Sequence, residues 1–144
     1  MEDDLAAREA LSAAPDAIAA AIVHALHWSP FLRALATREP ERLVRCCTLG
    51  PDAMAAAAIE AARPDTSMAA TMRILRQTRQ DLAFACAIAD IAGLWPLERV
   101  CGALSDYADA AIEGHFRPRC RTSATVPIRQ ASSCWRSANS GRGR

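Results

Sequence analysis

At 144 residues the chain has room for one domain with a buried core; alanine makes up about a quarter of it, and with lysine absent all 17 basic residues are Arg. Ala and Arg are strong helix formers, and the β-branched and aromatic residues that favour strands are scarce, which excludes a sheet protein and implies an all-α fold. The formal net charge of +1 hides an asymmetry: residues 1–114 hold ten Arg against sixteen acids, a net −6, and residues 115–144 hold seven Arg and no acid, a net +7.

Residues 2–14 read as a short helix or a frayed end. Pro15 precedes Ile18, Ile22 and Leu26, spaced for one helical face. Ser29-Pro30 is a restart, because Ser can cap open backbone N–H groups and Pro fits the first helical position. Phe31, Leu32 and Leu35 follow as the expected buried side of a short helix ending near Glu39. Pro40 opens another brief helix with Leu43, Val44 and Cys47 inward, Gly50-Pro51 breaks it, and Pro51 to Ala62 reads as an Ala-rich helix.

Two longer elements come next. Asp65, Thr66 or Ser67 can cap a helix running to about Ala92, with Met68, Met72, Leu75, Leu82, Cys86 and Ala89 as its expected buried stripe. Gly93 is placed as its left-handed terminator. Pro96 then starts a helix whose apolar positions are Leu97, Val100, Cys101, Leu104, Ala108, Ala111 and Ile112. The short Gly-Leu-Trp-Pro joint makes the pair an antiparallel hairpin, 67–92 and 96–113.

After Gly114 the helical period dissolves, and residues 115–144, rich in Arg, Ser and Pro, read as a disordered tail. In GC-rich DNA a slipped frame turns Ala, Gly and Leu codons into those for Arg, Pro, Ser, Cys and Trp, which is the vocabulary from about residue 117 onward. A shifted frame is the expectation for this tail, with a genuine basic arm as the competing reading. The longest strongly apolar stretch, Ala17 to Val23, falls far short of the roughly 20 residues a bilayer requires. Met-Glu-Asp-Asp has the wrong sign for a signal peptide. Six Cys without a Cys-x-x-Cys fit reduced thiols in a cytoplasm better than a disulfide framework.

Four groups of side chains invite chemistry. His24 and His27, three apart on a helix, share a face, but a metal needs three or four ligands and no carboxylate lies at i+4 from either; packing or surface is the expected role. Cys46-Cys47 is expected to be a pair of small core residues, since a vicinal disulfide is strained. Asp106, Asp109 and Glu113 lie on one face of the last helix, where paired carboxylates hold Mg²⁺ or move protons, yet a solvated acidic face opposite the apolar stripe explains them more simply. The Arg-rich tail could neutralise phosphates, but Trp135 and Phe116 alone offer stacking surface and no nucleic-acid-binding motif surrounds them.

Residues 82–113, LAFACAIADIAGLWPLERVCGALSDYADAAIE, closely resemble a segment of the bacterial glutamine synthetase adenylyltransferase/adenylyl-removing enzymes. An Arg-rich helix around Met72 to Arg76 leads into the phrase Ala89-Asp90-Ile91-Ala92-Gly93-Leu94-Trp95-Pro96-Leu97-Glu98, and Ala103 to Ser105 and Ala108 to Ala111 match the following helix. Upstream, Ser29 to Leu43 looks like the same family, so the resemblance covers roughly residues 16–114. It implies a role in nitrogen control: AMP transfer from ATP, with Mg²⁺, to a Tyr of glutamine synthetase, its phosphorolytic removal, and response to a PII-type signal protein. The matched segment would be the helical preface to the first, adenylyl-removing, catalytic domain.

In that family a Gly-rich stretch and a strand bearing Asp-x-Asp follow the hairpin; Asp residues two apart on a strand point the same way and can hold Mg²⁺ together. No Asp-x-Asp occurs anywhere in this sequence. No catalytic, cofactor-binding or metal residue is therefore carried over. The expectation is an all-α bundle ending in an antiparallel helical hairpin (1–114), a disordered tail (115–144), and a truncated family member inert alone. Exposed apolar helix faces would drive self-association. The competing readings are a helical interaction module with a basic arm, and a small enzyme built on His24 and His27.

Overall fold

The computed structural model describes residues 2–63 and 67–120 of the chain. Among them six helices run in order: α1 (Glu2–Ala13), α2 (Asp16–Trp28), α3 (Pro30–Arg38), α4 (Pro40–Ala61), α5 (Met68–Ile91) and α6 (Leu97–Cys120), with no strand among the described residues. The all-α reading is met. No single helix is long and apolar enough to cross a membrane; α2 and α3 pass on length and composition only as a pair bent by 109°.

The punctuation in the sequence sets the joints. The Ser29 hydroxyl accepts from the Leu32 N–H at 3.2 Å while Pro30 fills the first turn of α3. Ser67 caps α5, accepting from the Ala70 N–H; Asp65 and Thr66, the other two candidate caps, lie outside the described residues. Gly50 has φ 79 and ψ 163, a backbone conformation a Cβ disfavours, and no atom within 4 Å would obstruct a Cβ there. The torsion alone requires glycine. It divides α4 into two helical stretches that meet at a sharp kink before Pro51, as the Gly50-Pro51 break leads one to expect.

At the hairpin, Gly93 has φ 68, its N–H donates to the Asp90 carbonyl and the Leu94 N–H donates to the Ala89 carbonyl. These two bonds close the end of α5 in a Schellman arrangement. Tyr107 of α6 then reaches back to α5, its hydroxyl 2.7 Å from the Leu75 carbonyl and 3.0 Å from Thr78 Oγ1. The chain has doubled on itself, as an antiparallel hairpin must.

The principal interface is α4 against α5; α1 rests on α4, and α2 crosses α5. Ile22, Cys46, Leu82, Phe84 and Ile88 are fully enclosed at its centre. Residues 82–89 of α5 are buried on nearly every side, as expected of a helix covered by several neighbours rather than one. Phe84 illustrates the stake: truncating an enclosed Phe to Ala costs about 3–5 kcal/mol.

Several expected faces are corrected. Phe31 is 58% exposed, because the bend into α3 turns Leu32, Leu35 and Ala36 inward instead. Val44 is half-buried, and Arg42 and Cys46 are the enclosed neighbours of Leu43 and Cys47. Met68 and Met72 are 50% and 52% exposed, and Thr71 and Thr78 occupy the inner face of that part of α5. On α6 the inner face is Val100, Ala103, Tyr107 and Ala110, so Leu97, Cys101, Leu104, Ala108 and Ile112 face solvent. Small Ala side chains let α6 lie close to its neighbours, and the Tyr107 hydrogen bonds fix which side turns in. The helix also continues past its expected end, through Gly114 to Cys120: one interior glycine costs about 1 kcal/mol and does not force a stop. The rest of the expected tail, 121–144, lies outside the described residues.

Candidate functional site

Among the described residues, arginines converge on an aspartate at two places, both centred on α4. At the first, Arg42 is fully buried, which is rare for arginine. Its Nε donates to Asp81 Oδ1 at 2.7 Å, Nη1 to the Leu35 carbonyl at 3.0 Å, and Nη2 to Glu39 Oε2 at 2.7 Å and to Gln80 Oε1 at 3.4 Å. Arg45 Nη2 supplies a second cation to Asp81 Oδ2 at 2.8 Å. The planar guanidinium thus ties the end of α3 and the middle of α5 to the first turn of α4, with its charge matched by two carboxylates.

At the second, past the Gly50 bend, Asp52 accepts from the Trp95 indole Nε1 at 3.1 Å and from Arg99 Nη2. The Arg99 guanidinium also lies 4.8 Å from the centre of the Trp95 ring, within cation–π range. Trp95 is buried although it sits in the hairpin turn, and Asp106 borders the same shallow groove between α4 and α6. One carboxylate thereby anchors the turn between α5 and α6 onto α4.

The candidates from sequence fall around these clasps without joining them. His24 and His27 are exposed on α2 and stack with Trp28, the His27 ring edge-on at 4.8 Å. They border an open apolar groove with Leu11, Val23 and Arg8, and among the described residues no acid lines it. Cys46 and Cys47 are buried free thiols. Burial, reinforced by the neighbouring Cys47, pushes the Cys46 thiol from 9.0 up to about 12, and burial also raises Cys47 and, on α5, Cys86. Such thiols are poor nucleophiles. Asp106 and Asp109 are exposed, and Glu113 is 3.5 Å from Arg63 in a surface ion pair with the end of α4. Among the described residues no three of His, Cys, Asp and Glu gather closely enough to hold a metal ion. Trp135 and most of the Arg-rich tail lie outside the described residues.

No motif or spacing in the sequence marks Arg42, Asp81 or Asp52 as functional. Arg42 carries a faint signal, since it precedes Leu43 and lies four residues before Cys46, on the apolar stripe. Its partners lie up to 39 residues away and cannot be read from spacing.

Together these residues define a class: a helical packing domain whose polar side chains join helices to one another. Comparison with known proteins is more specific. The chain belongs to the glutamate-ammonia ligase adenylyltransferase family, whose model matches residues 19–133. Among similar curated proteins are the bifunctional glutamine synthetase adenylyltransferase/adenylyl-removing enzymes of Caulobacter vibrioides (42% identical over 91 residues, 58% of this chain and 9% of the relative), Bradyrhizobium diazoefficiens (37% over 98 residues, 64% and 10%) and Xanthobacter autotrophicus (41% over 87 residues, 58% and 9%). The chain thus spans about a tenth of the length of the curated relatives it matches. No solved structure matches it. The family match runs past the charge switch at residue 114. The phrase Gly93 to Glu98, the most specific part of the resemblance, is the turn that Asp52 clasps.

Proposed function

We propose that this chain is a non-reacting helical part of the apparatus that attaches AMP to glutamine synthetase and removes it, and that it carries out neither step alone. The observation that carries this reading is the family match over residues 19–133 in a sequence with no Asp-x-Asp pair. Nucleotidyl transfer of this kind needs two carboxylates converging on Mg²⁺ beside the phosphates. The side chains that do converge, at Arg42 and at Asp52, are engaged in joining helices. In this reading ATP and Mg²⁺ bind elsewhere in an intact family polypeptide. Glutamine synthetase and a PII-type protein are the partners of that whole, in the cytoplasm.

The test is direct. Purified chain is incubated with glutamine synthetase, Mg²⁺ and labelled ATP, and separately with adenylylated glutamine synthetase and phosphate. Neither transfer nor release of AMP above the protein-free control is expected; turnover in either direction that scales with added chain would refute the proposal. The coding DNA past codon 114 supplies a second test. A Gly-rich, Asp-x-Asp-bearing continuation in another frame is the outcome that fits a shifted tail. Its absence from both other frames, together with a family match that reaches residue 133, would assign the basic tail to the protein itself.

A further inference from the structure

We draw no further inference here: the strongest candidate, the outer apolar face of α6 with Leu97, Leu104 and Ile112 exposed along it, carries nothing because nothing in the structure shows what covers it.

Discussion

Arg42 and Arg99 each reach across the bundle to an aspartate, and the two clasps are held on opposite sides of the same bend in α4. Their surroundings differ completely. Arg42 is wholly enclosed and donates to four acceptors, whereas the Arg99 and Asp52 side chains are both 56% exposed. A buried ion pair contributes little relative to a well-packed apolar substitute, but breaking it strands an uncompensated charge. An exposed pair is screened and weak. The same pair of residue types is therefore a structural necessity at one end of α4 and a surface contact at the other. What anchors the second clasp is the indole N–H of Trp95, the part of it that is shielded from water.

The widest separation between the two clasps should come from Arg42→Ala. It is expected to cost about 3–5 kcal/mol in urea unfolding, because the largest fully enclosed side chain is removed and the Leu35 carbonyl loses its donor, although Arg45 still pairs with Asp81. A cost under about 1 kcal/mol would erase the distinction from Arg99.

Alkaline pH probes the same wall, since Cys46 is enclosed one turn along from Arg42. In the unfolded chain this thiol ionises from about its ordinary value of 9.0, and in the fold it keeps its proton to about 12. Between those values the unfolded state binds fewer protons, so stability is full below pH 9 and falls as pH rises through the window. The slope is about 1.4 kcal/mol per pH unit for one thiol. Urea midpoints at pH 8 and 10.5 measure it, and Cys46→Ala should reduce the slope, leaving the part that comes from Cys47 and Cys86.

Smaller effects sharpen the second clasp. Asp52→Ala is expected to cost about 1–2 kcal/mol, since it leaves the buried indole N–H without its acceptor. Arg99→Ala should cost less than about 1 kcal/mol, and raising the salt concentration should shrink that further while leaving the Arg42 effect intact. If thermal melts show equal losses for Asp52→Ala and Arg99→Ala, the indole bond is not the anchor.

The joints of this fold were legible because they depend on local chemistry. Ser29-Pro30, Pro40, Gly50-Pro51 and Gly93 each limit the backbone where they stand, and each marks a helix end or bend in the structure. The inward face of α6 was not legible, because apolar residues cover more than half its circumference and two faces satisfy helical periodicity equally. The choice between them is made by Tyr107 finding Leu75 and Thr78 on another helix. Met68 and Met72 misled in the same way, their spacing suiting an inner face that Thr71 and Thr78 occupy, with Thr78 bonding its own helix carbonyl at Ile74. The clasps depend on pairs about 40 residues apart, which no single window of sequence reveals.

The enclosed thiols have a practical corollary. Cys46, Cys47 and Cys86 sit inside the protein on α4 and α5, while Cys101 lies at the surface. With Cys120 and Cys134 changed to Ser, a water-borne alkylating reagent would modify Cys101 promptly and reach Cys46, Cys47 and Cys86 only in molecules that have momentarily come apart. The slow phase of such labelling would clock the lifetime of the folded form under native conditions, using a gauge the polypeptide already contains.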